Sequence, residues 1–225
     1  MDLYQFSGSG FAWRVILACH LKGVEYQEVA VEASPQGLRH PDFLALNPRG
    51  KVPVITEGEY TLSESMAIIA YLDRRYPAKP LLGTTAQETG LIWQMILDFD
   101  LYIADILVQG VIVPLATGQA MEQASLVQPA AEQAHIELAI LDAILGDKPW
   151  WVGQSISAAD IALFPIIEAL LRFTTKPQWQ CLNLGFDTFA SRYPDLQRWR
   201  ESIKQLDSYA AAYPAYWRAV DKQAV

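Results

Sequence analysis

Two serines lie in a short glycine-containing segment near the start of the chain, Ser7-Gly8-Ser9-Gly10. The apolar residues 3–6 before this segment predict a buried strand, and the apolar residues after it recur at helical spacing until Gly23. The unpaired backbone N–H groups at a helix N-terminus favour an anion, and a serine hydroxyl at the same joint can point to the same place. The segment is therefore the candidate reaction centre, with ordinary turn and capping roles as the alternative interpretation of both serines.

A second concentration of polar groups, Ser63-Glu64-Ser65, opens a predicted helix that runs to Tyr76. Three hydroxyl or carboxylate side chains at one helix start exceed what capping requires, which favours a binding role. Pro53 raises a related question, because it interrupts the start of a predicted strand over residues 52–55 although proline cannot donate to a sheet ladder. Something other than strand pairing must explain this proline.

The sequence lacks the motifs that are typical of several other chemistries. The surroundings of Ser9 contain neither GxxxxGK nor GxGxxG, which are patterns of phosphate-binding loops, nor the GxSxG pattern of serine hydrolases. The histidines are scattered without HExxH spacing, and Cys19 and Cys181 form no CxxC pair, so the sequence predicts no metal site. Two cysteines so far apart also predict no disulfide framework, which is typical of a reducing compartment.

Composition narrows the class of partner. The chain of 225 residues has a formal net charge of −8 and a pI near 4.9, which argues against binding to the phosphates of a nucleic acid. Hydrophobic residues make up 52% of the chain, enough for a packed core. A membrane span would need a run of about 18 apolar residues, and the sequence has none. We expect a cytoplasmic protein that binds neither nucleic acid nor membrane.

The chain divides into two halves of different construction. Residues 1–77 show strand and helix patterns in the order β-α-β, α, β-β-α, which predicts a small mixed sheet. Residues 78–87 are rich in Pro, Gly and Thr and form the predicted linker. Residues 88–225 give only helical patterns, at 88–117, 124–145, 157–173 and 187–206, followed by an aromatic tail. The predicted fold class is an α/β domain followed by an all-α domain.

Two helices of the second half carry specific expectations. The stretch 88–117 is apolar on nearly every side, which suits a helix that is buried in a bundle or at a subunit interface. Ser157 and Asp160 have capping-box spacing before an apolar run, so we expect them to start a helix rather than to take part in chemistry.

Four stretches in order along the chain resemble the soluble glutathione transferases: LYQFSGSGFAWRV, LNPRGKVPVI, LSESMAIIAYLDRRYP and WWVGQSISAADIALF. The resemblance implies a thioredoxin-like domain at 1–77 and a helical bundle at 88–225 that contributes the pocket for a small hydrophobic electrophile. It also implies glutathione as the co-substrate, no metal, and a homodimer.

The resemblance further implies that Ser9 is the catalytic hydroxyl, which in serine-type members hydrogen-bonds the glutathione sulfur. A free thiol has a pKa near ~8.5, and lowering it by about two units requires roughly 2.7 kcal/mol of preferential stabilisation of the thiolate. One hydroxyl donor and a helix N-terminus are a reasonable source of that energy. The resemblance also implies contacts to the rest of the tripeptide. The backbone of Val52, beside a cis Pro53, pairs with the cysteinyl part, Glu64 binds the ammonium group, and Ser65 binds the γ-glutamyl carboxylate. Lys51, together with Arg39 or His40, binds the glycyl carboxylate.

One departure from the family pattern concerns the reaction. Gly10 and Phe11 stand where the similar zeta-like motif has a serine and a cysteine, which argues against an isomerase. The predicted function is therefore transfer of glutathione to an apolar electrophile that rests against Phe11, Tyr102 and Ile106. The alternatives are glutathione-dependent isomerisation, dehalogenation or ether cleavage, and a non-catalytic role in glutathione binding or regulation.

Overall fold

The computed structural model describes residues 1–223, so the last two residues of the predicted helical domain 88–225 lie outside the described residues. The contacts of the chain divide it into two compact units. The first unit is Met1–Leu82 together with the chain from Leu206 onward, and the second is Gly83–Gln205. The predicted boundaries at 1–77 and 88–225 differ from this division mainly at the C-terminal end, where the aromatic tail belongs to the first unit.

The first unit has the thioredoxin-like architecture that the sequence predicts. Its four-stranded sheet has the order β2-β1-β3-β4, in which β1 pairs in parallel with β2 and antiparallel with β3, and β3 pairs antiparallel with β4. The buried side chains of Leu3, Val54 and Ile55 place the core on the two central strands. Its elements are β1 Asp2–Gln5, α1 Gly10–Lys22, β2 Gln27–Ala30, α2 Pro35–Leu38, α3 Pro41–Leu46, β3 Val54–Glu57, β4 Tyr60–Ser63 and α4 Ser65–Arg75, with the two C-terminal helices described below.

Prolines account for two differences from the predicted elements of this unit. The single helix expected between the second and third strands is two helices, because Pro41 lacks the N–H that would continue the first and instead occupies the opening position of the second. The strand expected from Val52 begins at Val54, immediately after Pro53. The peptide bond between Val52 and Pro53 is cis.

The second unit is helical, as predicted. The expected helix at 88–117 is a rod in which α-helical turns alternate with two π-helical segments. Its buried face includes Ile92 and Ile96, whereas Leu101 is 65% exposed, so the rod is not covered on every side within this chain. The elements are α5 Ala86–Asp98, a π segment Phe99–Ile103, α6 Ala104–Leu107, a π segment Val108–Ile112, α7 Val113–Ala116, α8 Ala124–Leu145, α9 Ala158–Thr174, the 3₁₀ turns Pro177–Leu182 and Phe186–Thr188, α10 Phe189–Arg192 and α11 Pro194–Lys204.

The helix expected over residues 187–206 is broken, because Pro194 starts a new helix instead of continuing the one before it. The chain then returns to the first unit as α12 Asp207–Ala212 and α13 Ala215–Gln223. No helix among residues 1–223 combines the length and the hydropathy needed to cross a membrane.

The C-terminal return is held by aromatic side chains that pack on α1. The indole of Trp13, which is 1% exposed, lies with its ring centroid 5.3 Å from that of Trp217 and 5.8 Å from that of Tyr213. Tyr209 completes the cluster at 6.1 Å from Trp13. The spacing of four residues between Tyr209, Tyr213 and Trp217 is the sequence signal of one helical face, although the partner of that face cannot be read from it.

Candidate functional site

Ser9 lies immediately before the first residue of α1. Its backbone is extended, and its Oγ accepts a hydrogen bond of 3.3 Å from the backbone N–H of Ala12. A hydroxyl that accepts in this way still has its O–H hydrogen to donate elsewhere. The first turn of α1 contains no acidic residue that would compete for an anion at this helix start.

Arg14 connects this helix start with the beginning of α4, a role that the motif alone did not reveal. The side chain is 0% exposed, and its Nη1 donates to Ser65 Oγ over 3.3 Å. Its guanidinium also lies over the ring of Phe11, 4.7 Å from the centroid. Arg14 therefore fixes the position of a predicted ligand-binding hydroxyl and brings a buried positive charge close to it.

Asn47 holds the loop that carries Val52 and Pro53. Its side-chain amide donates to the carbonyl of Lys51 over 2.7 Å, and its carbonyl oxygen accepts from the N–H of Arg49 over 3.1 Å. Since Asn47 is only 4% exposed, these bonds are shielded from water. The buried Pro53 and the half-buried Val52 are thereby kept at the end of β3.

The start of α4 has an unusual backbone. Glu64 has a φ of +69°, a left-handed value that a residue with a Cβ adopts only at an energetic cost. The Glu64 side chain is exposed, while Ser65, the first residue of α4, is 6% exposed. A strained residue next to a buried hydroxyl at a helix N-terminus is typical of a site that binds an anion or a zwitterion.

Several of the predicted site residues line one cavity of about 110 Å³, whereas Ser9 is not among the described residues of its wall. The structure therefore brings together Phe11 and five of the six residues predicted to bind the tripeptide: Lys51, Val52, Pro53, Glu64 and Ser65, with Asn47 completing the wall. The lining includes an exposed lysine, Lys51, and an exposed glutamate, Glu64, which are suited to a carboxylate and an ammonium group.

Comparison with known proteins gives the family of this fold. The model of the glutathione S-transferase N-terminal domain matches residues 3–80, and that of the glutathione S-transferase C-terminal domain matches residues 124–202. The chain belongs to the glutathione S-transferase family. The family resemblance that the sequence motifs indicate is thus confirmed.

Individual relatives agree with this assignment. A maleylacetoacetate isomerase of Pseudomonas aeruginosa is 31% identical over 97% of this chain and 95% of its own length. Glutathione S-transferase 1 of Dianthus caryophyllus is 44% identical, over 42% of each chain. A crystal structure of a glutathione transferase from Phanerochaete chrysosporium with oxidized glutathione has the same fold, with a TM-score of 0.81, 18% identity and coverage of 99% of this chain and 95% of that one.

Two predicted contacts of this transferase lie away from the 110 Å³ cavity. Arg39 is exposed and follows the end of α2, and it is not among the described residues of the cavity wall. His40 instead lines a separate depression of about 490 Å³ with Tyr4 and Phe43, and its Nδ1 lies 3.6 Å from a carboxylate oxygen of Asp42. The role of Arg39 stays a prediction.

Of the three side chains predicted to contact the acceptor, Phe11 lines the 110 Å³ cavity in the first unit, and Tyr102 and Ile106 belong to the helical unit. Tyr102 lies in the first π segment and is 68% exposed, while Ile106 lies in α6 and is half-buried. Their role also stays a prediction.

Ser7 has a function that differs from that of Ser9. Its Oγ accepts a hydrogen bond of 2.9 Å from the backbone N–H of Tyr216 and so caps the start of α13. At Gly8, where φ is +99°, a Cβ atom would lie 3.0 Å from the Nε1 of Trp217, so the serine-glycine segment and the C-terminal helix approach closely. A second cavity, of about 360 Å³, lies beside this contact and is lined by Ser7, Gly8 and Ser9.

The cysteine nearest to the site takes no part in it. Cys19 is a free thiol with 0% exposure near the end of α1, and its burial raises its pKa to about 12. A thiol that stays protonated at neutral pH is a poor nucleophile, so Cys19 does not supply a nucleophile to this site.

Proposed function

We propose that Ser9 stabilises the thiolate of bound glutathione and that the enzyme transfers this thiolate to an apolar electrophile. The observation that carries the proposal is the 110 Å³ cavity, in which Val52, Pro53, Glu64 and Ser65 converge close to the start of α1. A ligand in extended conformation can pair with the backbone of Val52 like an added strand. Its cysteinyl sulfur would then lie towards Ser9.

The charges around this cavity fit the ends of glutathione. The carboxylate of Glu64 pairs with the γ-glutamyl ammonium, and the Ser65 hydroxyl with the N-terminal N–H groups of α4 binds the neighbouring carboxylate. Lys51 binds the glycyl carboxylate, and Arg39 is the second cation that the sequence-based prediction assigns to this carboxylate. These groups fix the tripeptide at both ends, which orients the sulfur between them.

The thiolate needs a donor, and Ser9 has one to offer. Because Ser9 Oγ accepts from Ala12, its O–H hydrogen can be directed at the sulfur, while the N-terminus of α1 adds a favourable dipole. Ser9 itself stays protonated in this role. The acceptor is a small hydrophobic electrophile, and Phe11, Tyr102 and Ile106 are the contacts that the sequence-based prediction gives it.

The test is glutathione-dependent turnover of a chromogenic aryl halide by wild type, Ser9→Ala and the control Ser125→Ala, which removes an exposed hydroxyl from α8. We expect Ser9→Ala to lower kcat/KM about 10- to 100-fold near pH 7, since one charge-assisted hydrogen bond contributes about 1.5–3 kcal/mol. The deficit should shrink as the pH approaches ~8.5, where a free thiol ionises unaided. Equal rates for wild type and Ser9→Ala would contradict the proposal.

A second candidate is a glutathione-dependent isomerase, which the 31% identity to a maleylacetoacetate isomerase favours over the other open reactions. Gly10 and Phe11 argue against it, because they replace the neighbours found in the zeta-like motif. The two reactions differ in their use of glutathione: isomerisation returns it after each turnover, whereas transfer consumes it. Measurement of free thiol during turnover of a cis-unsaturated diketo acid and of an aryl halide separates them.

We also propose a homodimer in the cytoplasm. Helix α8 presents Ile136, Ile140 and Ile144 at a spacing of four residues, each about half exposed, and such a row on one chain is a surface that a second copy would cover. The two free cysteines are in keeping with a reducing compartment. Sedimentation at a mass near the 25.1 kDa of one chain would contradict the dimer.

A further inference from the structure

The 360 Å³ cavity beside Ser9 is formed within the first unit and is separate from the cavity proposed for the tripeptide. Its volume is in the range of small-molecule sites. Ile16 of α1 and Ala215 and Ala219 of α13 contribute apolar surface to its lining, next to the buried Trp13. An apolar ligand can pack against these aliphatic side chains, and it would lie against Ser9, which also lines the cavity.

Helix α13 is fixed in place at this cavity. Ser7 caps its start through the N–H of Tyr216, and Trp217 is only 2% exposed because it packs edge-on against Trp13. The side chains that follow Trp217 on the same helix are therefore held in defined positions beside the cavity. Arg218 and Lys222, one helical turn apart, are the two that line the cavity with a positive charge.

The charges at this end of the cavity favour an anion. The Nη2 of Arg218 donates to the carbonyls of Ala210 and Tyr213, over 2.6 and 3.4 Å, which anchors the guanidinium. Its Nε–H and Nη1 donors take no part in these two bonds. The acidic residue of the wall, Glu28, accepts a hydrogen bond from the side-chain amide of Gln5. Two cations thus face one carboxylate that already has a donor.

We propose that this cavity, and not the surface around Phe11, Tyr102 and Ile106 that the sequence-based prediction names, is the acceptor site. It selects electrophiles with an aromatic or apolar body and a carboxylate, and the carboxylate pairs with Arg218 and Lys222. The inference rests on the proposed role of Ser9, because it takes the reacting sulfur to be beside that residue. With a chlorodinitrobenzoate, the thiolate attacks the carbon that bears chlorine, the S–C bond forms, and the C–Cl bond breaks. Chloride leaves with the bonding pair, and the thiol proton passes to solvent.

The first experiment measures binding without turnover. Calorimetry gives the Kd of dinitrobenzoate, which has no leaving group, and of the neutral dinitrobenzamide of the same shape. The test variant is Arg218→Gln with Lys222→Gln. The matched control is Arg74→Gln with Arg75→Gln, which removes the same charge from exposed positions at the end of α4, away from the cavity.

We expect the test variant to raise the Kd of dinitrobenzoate about tenfold, a value reduced from that of a buried pair because both cations are exposed to water. The Kd of dinitrobenzamide and that of glutathione should change less than twofold, and the control should leave all three values unchanged. An equal effect on the acid and the amide, or an effect of the control as large as that of the test variant, would overturn the charge selection.

A cavity-filling variant tests the location independently of charge. Ala219→Trp places a large side chain in the cavity from an exposed helix position, so it should raise the Kd of both dinitrobenzoate and dinitrobenzamide at least fivefold. Unchanged Kd values, with a circular dichroism spectrum and Tm like those of the wild type, would overturn the site.

Turnover separates this inference from the proposed function. Ser9→Ala should leave the preference for dinitrobenzoate over dinitrobenzamide unchanged in the binding assay, but it should slow conjugation of the chlorodinitrobenzoate. If Ser9→Ala has no effect on rate while the Kd of the test variant rises as expected, the role of Ser9 fails and the anion-selective cavity stands. If Ser9→Ala slows the reaction while the Kd values do not respond to the test variant or to Ala219→Trp, the cavity proposal fails and the role of Ser9 stands.

Discussion

Ser9 and Ser157 occupy the same position, immediately before the first residue of a helix, and the two serines have opposite surroundings. Ser9 at the start of α1 is half-buried, and the hydrogen bond that its hydroxyl accepts from Ala12 is long at 3.3 Å. Ser157 at the start of α9 is 5% exposed, and its hydroxyl donates to Asp160 Oδ2 over 2.9 Å. The same residue type at the same helix position therefore has its donor available in one unit and consumed in the other.

The difference follows from Asp160, which is 0% exposed. Its carboxylate also accepts from the backbone N–H of Ser157 over 2.8 Å, from Trp199 Nε1 over 2.8 Å and from the N–H of Trp151 over 3.2 Å. Burial raises the pKa of this carboxyl, and the donors around it lower it. A helix start with every polar group paired stabilises the fold, whereas one with a hydroxyl hydrogen to spare can act on a ligand.

The largest expected effect on stability is that of Asp160→Ala. Three N–H donors and the Ser157 hydroxyl would lose a buried acceptor, which should lower the free energy of unfolding by about 3–5 kcal/mol. Urea denaturation followed by circular dichroism measures the change. A loss below about 1 kcal/mol would show that this network contributes little, and the contrast between the two helix starts would then rest on exposure alone.

Ser157→Ala should have an intermediate effect. Removing one buried capping hydroxyl costs about 1–2 kcal/mol of the free energy of unfolding, and the Kd of glutathione should not change, because the residue lies in the other unit. The measurement pairs urea denaturation with calorimetry. A weaker binding of glutathione by this variant would contradict a purely structural role.

Ser9→Ala should change stability less than Ser157→Ala does. The long bond from Ala12 and the partial exposure of the site limit the loss to below about 1 kcal/mol, although the same change is expected to lower activity 10- to 100-fold. The ratio of the two effects is the sharpest test of the comparison. A stability loss equal to that of Ser157→Ala, with activity retained, would make both serines structural caps.

The smallest expected effect on stability, and the one that depends on pH, concerns a third helix start, that of α5. The carboxylate of Glu88 accepts from Thr84 N over 2.8 Å, from Thr84 Oγ1 over 2.9 Å and from Thr85 N over 3.2 Å, and these bonds lower its pKa below the ordinary glutamate value of 4.5. Because the folded-state pKa is depressed, the stabilisation is present above pH 4.5 and is lost as the pH falls through the folded-state value. The Tm difference between wild type and Glu88→Gln should therefore vanish on acidification, and a difference that grows at low pH would contradict this.

The elements that carry the site were largely predictable, because they depend on neighbours in sequence. The helical spacing after Ser9 and the stop at Gly23 predict α1, whose last turn ends at a Gly23 with φ of +69°. The pairing of Pro53 with Glu64 and Ser65 predicts a binding cavity, and these residues do line one. Helix breaks at Pro41 and Pro194 could have been predicted as well, since a proline at the first helical position is a local signal.

Other features of the site depend on residues far apart in sequence. Ser7 accepts from the N–H of Tyr216 across 209 positions, and Arg14 reaches Ser65 across 51. The aromatic tail has a clear helical face, but its periodicity is equally satisfied by packing against the helical unit. Only burial of that face against Trp13 selects the first unit.

Local patterns and motifs specify the family, the order of strand and helix segments and most of the residues that line the cavity proposed for glutathione, although Asn47 in its wall is not among the predicted residues. The tertiary structure determines which hydroxyl donors remain available to bind a ligand. It assigns the hydroxyl of Ser157 to a buried carboxylate and that of Ser7 to the cap of α13, and it leaves the donor of Ser9 free of such a partner among the described residues. The physical reason is that a hydroxyl hydrogen serves one acceptor at a time, and folding alone determines which acceptor is near.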